Sequence, residues 1–235
     1  MNALRFLGPA AALALALTLP GCTSRSTRYL SAPFVPPPGG IPNTPAHAVE
    51  RLAWSLVNRD PASYVALLTD DYVFQFALND SAGNPYPGRR LDRTQDGISM
   101  LHLLSGGGSL PPASDIALMI DNPLVAQPDP RPDRDPRWFR VVRTSLACKI
   151  TLANNGSPDV SSVTGYALFY LVRGDSAFFL PGHAAMRDST RWYVSRWEDE
   201  TAGYAGVPGL HTDPVPIMTF GLIKGLYLSP AAPAK

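Results

Sequence analysis

The sequence predicts an α+β domain, a curved antiparallel sheet with three helices from the N-terminal half packed on one face. Three observations carry this. Apolar residues recur at helical spacing between Thr44 and Leu68, the spacing switches to alternation from Tyr72 to Leu78, and a further helical stretch at 94–105 is followed by one alternating or continuously apolar run after another up to Asp199. The 235 residues include 25 prolines and 19 glycines, both costly inside helices and sheets, so long irregular connections are expected around a smaller regular core. Lys and Arg total 20 against 19 acidic residues, a formal net charge of +1, so the chain lacks the basic footprint of a nucleic-acid binder.

Residues 1–21 read as a signal peptide: Arg5 supplies a positive start, and Phe6 to Pro20 form an apolar run too short for the about 20 residues that a spanning helix needs. The run ends in Leu19-Pro20-Gly21-Cys22, which resembles the bacterial lipobox. The resemblance implies cleavage before Cys22, a diacylglyceryl thioether on its sulfur and acylation of the new amino terminus. Several acyl chains at ~0.8 kcal/mol per buried methylene anchor a protein stably, so membrane lipid is the first expected partner and the bacterial cell envelope the expected location. Thr23 stands where inner-membrane retention would place Asp, which points to an outer membrane where one exists. With Cys22 lipidated, Cys148 is the one remaining thiol, and no internal disulfide can form.

Residues 22–43, the lipidated cysteine and a segment with Pro36-Pro37-Pro38, show no helical or alternating period and read as an extended tether. A single domain with loop insertions then spans 44–230. Thr44-Pro45 starts a helix carrying Val49, Leu52, Ala53, Leu56 and Val57, and Asp60-Pro61 starts a second with Tyr64, Val65, Leu67 and Leu68. Tyr72, Phe74, Phe76 and Leu78 share one side of a strand. Thr94 caps a third helix with Ile98, Leu101, Leu103 and Leu104, stopped by Gly106-Gly107-Gly108. Ile116, Leu118 and Ile120 alternate as a strand, and four prolines mark 127–136 as a loop without ladder bonds. A long half-buried strand runs from Trp138 to Leu152, and Asn154-Asn155-Gly156 turns into an apolar strand from Val163 to Val172. Arg173-Gly174-Asp175 reads as a hairpin turn, Arg191 to Asp199 as the last strand, and the tail with Ile217, Met218, Leu222, Ile223, Leu226 and Tyr227 as a short docking helix.

Residues 44–76, a helix, an Arg-Asp joint, a second helix ending Leu-x-x-Asp and a first strand, resemble the opening of the nuclear-transport-factor-like superfamily, which includes ketosteroid isomerase and the SnoaL-like polyketide cyclases. The ending at 191–200, RWYVSRWEDE, resembles that superfamily's final strand. The resemblance implies a cone fold enclosing a pocket for a small molecule, in some members with an Asp, His or Tyr as acid or base. Asp71, closing the second helix, and His102, on the third, are the weak candidates for such chemistry; their plain alternatives are a solvated acid and a rim histidine. Trp54, Tyr72, Phe74, Phe76, Tyr166 and Trp197 are the candidates to line a pocket, against the default reading of aromatics as core. Glu198 and Asp199 alternate at a strand end and read as surface. No H-x-x-x-H or C-x-x-C pair offers a transition-metal site, Asp129, Asp133 and Asp135 are offset by Arg131, Arg134 and Arg137, and no motif implies a cofactor.

The expected function is a membrane-anchored envelope lipoprotein whose domain binds a small apolar ligand or a protein partner without catalysis. The alternatives are a cavity enzyme of isomerase, cyclase or dehydratase type, and a structural envelope protein with a filled core; oligomeric state is left open. Replacing Cys22 with Ala should move the protein from the membrane to the soluble fraction on cell fractionation, and an unchanged distribution contradicts the anchor.

Overall fold

The computed structural model describes residues 27–30, 40–78, 80–152, 159–174, 188–201 and 217–228. The signal peptide with Cys22, the turns at 154–156 and Asp175, and most of the loop at 200–214 lie outside the described residues.

Helix α1 (Pro45–Val57) starts as the sequence predicts: the Thr44 side chain accepts from His47 N at 3.1 Å and Pro45 takes the first helical position, where a missing N–H costs nothing. Its buried residues are Ala48, Val49, Leu52, Ala53, Trp54, Ser55, Leu56 and Val57. Asp60 caps α2 (Pro61–Ala66) through Ser63 N, and the buried residue of this helix is Tyr64. Helix α3 (Arg93–Ser105) begins one residue before Thr94: Asp92 is its cap, in a reciprocal box with Gln95. The buried side of α3 is Asp96, Ser99, Met100, Leu103 and Leu104, while Ile98 and Leu101 are exposed, the reverse of the apolar face that the sequence suggests for that turn.

The strands form one curved, unclosed sheet in the order β1-β4-β6-β7-β8-β2-β3, from β1 (Thr27–Leu30), β2 (Leu68–Gln75), β3 (Arg90–Asp92), β4 (Ala113–Asp121), β6 (Phe139–Leu152), β7 (Asp159–Arg173) and β8 (Trp192–Thr201). The fold class is thus α+β, with α1, α2 and α3 on one face of the sheet. Three pieces of the sheet differ from expectation. Thr27–Leu30, inside the segment read as a tether, pairs antiparallel with β4. A short β5 (Ala126–Pro128) pairs with β6 at the start of the proline loop, because Pro128 sits at the end of an edge strand where a missing donor is tolerated. The β2–β8 pair is parallel rather than antiparallel, since β2 returns from α2 alongside the last long strand.

The inner, helix-covered face holds the core. Tyr72, Phe74 and Phe76 point into it, as their alternation requires, but β2 ends at Gln75 and Leu78 is 90% exposed. On β8 the alternation is broken once: Tyr170 stands opposite Arg196 while Leu171 stands opposite Val194, so Ser195 is an extra residue. This bulge lets both Val194 and Trp197 face inward although three positions separate them. Trp197 packs against Phe169 at 5.0 Å and edge-on against Phe74 at 5.5 Å.

The tail is a docking helix, α4 (Phe220–Leu228), preceded by β9 (Ile217–Met218), which pairs with β7. Its first amide groups have no partners inside the helix; β8 and the preceding Thr219 supply them. Phe220 N donates to Thr201 Oγ1 at 2.9 Å, Gly221 N to Asp199 Oδ2 at 2.6 Å and Leu222 N to Thr219 Oγ1 at 2.8 Å, while the Thr219 hydroxyl donates to Asp80. Two buried carboxylates at the positive end of the helix dipole complete the seat. Gly221 lies so close that an added Cβ would stand 2.5 Å from Asp80 Oδ2 and 2.7 Å from Phe76, whereas a Cβ at Gly225 would meet Ala82 at an ordinary 3.5 Å. Gly221→Ala should therefore lower the thermal midpoint, while Gly225→Ala in the same helix should leave it unchanged or raise it by up to about 1 kcal/mol of stability through helix propensity. Equal effects of the two substitutions contradict the seat.

Candidate functional site

Lys224 is carried by α4 to the centre of the inner face, where its side chain is wholly buried. Phe220, Ile223, Lys224 and Tyr227 fall at positions i, i+3, i+4 and i+7, so the lysine belongs to the buried stripe of the helix. A buried ammonium must be paired. Its Nζ donates to Asp96 Oδ1 on α3 and to the Tyr64 hydroxyl on α2 at 3.0 Å, and Tyr64 itself donates to Asp96 Oδ2 at 2.6 Å. Around this triangle the ammonium lies 4.1 Å from the ring centre of Phe74, 4.3 Å from Trp197, 5.5 Å from Tyr64 and 5.6 Å from Phe220. A carboxylate and four rings, three of them on elements other than α4, thus enclose one positive charge.

Electrostatics here follow from burial. Loss of water pushes the Lys224 ammonium below its ordinary range, while Asp96 acts in the opposite sense. Burial, reinforced by the Asp96 charge, holds the Tyr64 and Tyr72 hydroxyls well above the usual phenol range. The Tyr72 hydroxyl is in the field of Tyr64 and Asp96 but forms no hydrogen bond of good geometry, and Trp197 Nε1 has no acceptor among the described residues. At the edge of the site burial raises the Asp199 carboxyl to about 6 against three donors that oppose the rise.

Hydrogen bonds also tie α4 to α3 and to the segment that follows it. Ser99 Oγ donates to Lys224 O at 2.7 Å, His102 Nδ1 is 2.9 Å from Tyr227 O, and the Tyr227 hydroxyl donates to Pro111 O at 2.7 Å. His102, the histidine singled out in the sequence, is partly buried and serves this docking.

The residues singled out as pocket lining divide. Tyr72, Phe74, Phe76 and Trp197 come together on the inner face, each fully buried. Trp54 is buried on α1 outside the main cluster of core side chains. Tyr166 lies on the opposite face of the sheet, 44% exposed, with the Arg143 guanidinium 3.8 Å above its ring. Asp71 is also exposed there, at a cleft of about 170 Å³ with Arg131, Arg134, Arg196 and Ser195. Within the proline loop, buried Asp129 binds Arg131, and Asp135 binds Arg137, each through two carboxylate oxygens, so two of that loop's three acids are neutralised internally. No group of three His, Cys, Asp or Glu among the described residues could hold a metal ion, and none of their helices is long and apolar enough to cross a membrane. Burial raises the Cys148 thiol to about 12, which makes it inert.

Sequence reasoning missed Lys224, Asp96 and Asp199. Charges in amphipathic segments read as solvent-facing and Asp199 reads as a surface acid, yet it is buried, where it accepts from Gly221 and Thr201. The signal that was present is positional: Asp96, Ser99, Met100 and Leu103 fall on one helical stripe.

Neither a family model nor a curated protein matches the chain. Among solved structures it is similar to a nuclear transport factor 2-like superfamily protein from Salmonella enterica serovar Typhimurium, with 14% identity, TM-score 0.45 and coverage of 71% of this chain and 94% of that one. It is also similar to a protein of unknown function from Mycobacterium tuberculosis, with 10% identity, TM-score 0.44 and coverage of 77% and 82%. A third, from Kribbella flavida, has 12% identity, TM-score 0.44 and coverage of 66% and 86%.

Proposed function

We propose that the chain is a bacterial envelope lipoprotein, anchored by acylated Cys22, whose cone-fold domain binds a small apolar ligand on the inner face of the sheet without transforming it. The observation that carries this reading is the interior itself: an aromatic cluster of Phe74, Trp197 and Tyr64 packed around the charged side chain that α4 brings in. A core that served stability alone gains little from a buried ion pair, since apolar residues of similar volume are often as good or better. A charge there sets one seating of α4 over the cluster. The absence of catalysis is supported by how the ionisable groups are spent, because Lys224, Asp96 and Tyr64 satisfy one another and Asp199 and Asp80 hold the helix end.

The complete burial of these side chains also favours a second reading, a filled structural domain. The two separate on the response to loosening α4. Tyr227→Phe removes the hydrogen bond to Pro111 O, worth about 1 kcal/mol, which raises the fraction of open molecules roughly fivefold. Binding of the neutral apolar dye Nile red should tighten by about the same factor, because apparent affinity scales with the competent fraction. Saturable binding that is no tighter in the variant, or no binding by either protein, favours the filled domain.

A further inference from the structure

We infer that the ligand of the inner face is an organic cation, an alkyl- or arylalkylammonium, and that Lys224 is the protein's own occupant of the cation site. This deepens the binding reading above and rests on it. The cluster is chemically specific. A neutral apolar ligand needs rings and aliphatic wall; it does not need a buried carboxylate. When α4 withdraws, Lys224 and Phe220 leave together, and what stays on α2, α3, β2 and β8 is the Asp96 carboxylate, the Tyr64 hydroxyl beside it, and the faces of Tyr64, Phe74 and Trp197.

Left without a cation, that set is incomplete. Asp96 would keep one hydrogen bond, from Tyr64, and rings already placed around an ammonium attract another cation more than any neutral group. An ammonium with a short apolar tail regains the contacts of Lys224 and adds burial of the tail in the space of Phe220 and Ile223.

Exchange of the closed arrangement for a liganded one costs the burial of Phe220, Ile223 and Tyr227 as well as the hydrogen bonds from Ser99 to Lys224 O, between His102 and Tyr227 O, and from Tyr227 to Pro111 O, so the ligand must supply both a cation and an apolar tail. Binding and release of α4 are then one equilibrium, in which Lys224 competes with the ligand from within the chain.

The test uses the full chain with n-hexylammonium and 1-hexanol, probes of equal tail length. Hexylammonium should bind at least about tenfold more tightly than hexanol, since only the former meets the carboxylate and the ring faces as a cation. It should also speed cutting by thermolysin before Leu222 and Leu226, which the closed helix protects. Asp96→Asn should bring the two probes within about twofold of each other. Should that variant fail to fold, Trp197→Phe should weaken hexylammonium while leaving hexanol unchanged. Equal affinity for the two probes overturns the cation assignment, as does hexylammonium binding without faster cutting of α4. Nile red bound by a protein that ignores hexylammonium overturns this inference alone, and a protein that takes up none of the three probes overturns the binding reading with it.

Discussion

One buried charge organises the inner face of this domain. Lys224 brings an ammonium to a place without water, and such a charge survives there only if every one of its donors finds a partner. Asp96 and Tyr64 accept from two of its three N–H groups, and the ring faces of Phe74 and Trp197 supply the rest of the surroundings. These partners come from four separate elements, so the position of α4 is coupled to that of α2, α3 and the centre of the sheet. Apolar packing alone would let α4 slide or rotate by a fraction of a turn; a hydrogen-bonded charge permits one register.

The sheet is shaped to the same end. The extra residue Ser195 rotates Trp197 into the aromatic core, next to Phe74 on the parallel strand β2. Past Trp197, the inward positions of β8 are Asp199 and Thr201, which receive the first amides of α4. Strand β8 therefore provides both the wall that the ammonium rests on and the socket for the helix that delivers it. On the outer face the same strand presents Arg196, paired with Glu198 at 2.7 Å, and the proline loop lays Arg131 across Tyr170 at 4.2 Å. That face is polar and cationic at its cleft, in contrast to the aromatic interior.

The legible part of the fold was the part governed by local rules. Thr44-Pro45 and Asp60-Pro61 start helices because cap chemistry acts within three residues, and Tyr72, Phe74 and Phe76 face inward because alternation is a property of any strand. The strands at 113–121 and 139–152 are readable by the same alternation, while the one at 159–173 shows as a continuous apolar run over 163–172 and the last, at 192–201, as apolar positions within 191–199. What stayed hidden depends on groups far apart in sequence. Asp96 and Lys224 are separated by 128 positions, and each alone looks like an ordinary surface charge. Asp199 looks like a strand-end acid until α4 arrives with an unpaired amide. The pairing of Thr27–Leu30 with β4 likewise has no local signature beside three consecutive prolines. Tyr166 shows the converse limit: parity alone does not say which face of β7 is covered, and its ring lies outside beneath Arg143.

The account stands on α4 being a separately removable element whose seat is set by the Lys224 pair. Native-state hydrogen exchange measures this directly, because it reports the free energy at which each amide becomes exposed. The amides of α4 should exchange through a local opening at a free energy clearly below that of the paired strands β6 and β7, with α3 and the sheet still protected. Exchange of α4 only at the free energy of global unfolding, together with β6 and β7, would show that the helix is an inseparable part of the core and that nothing displaces Lys224 from its cage.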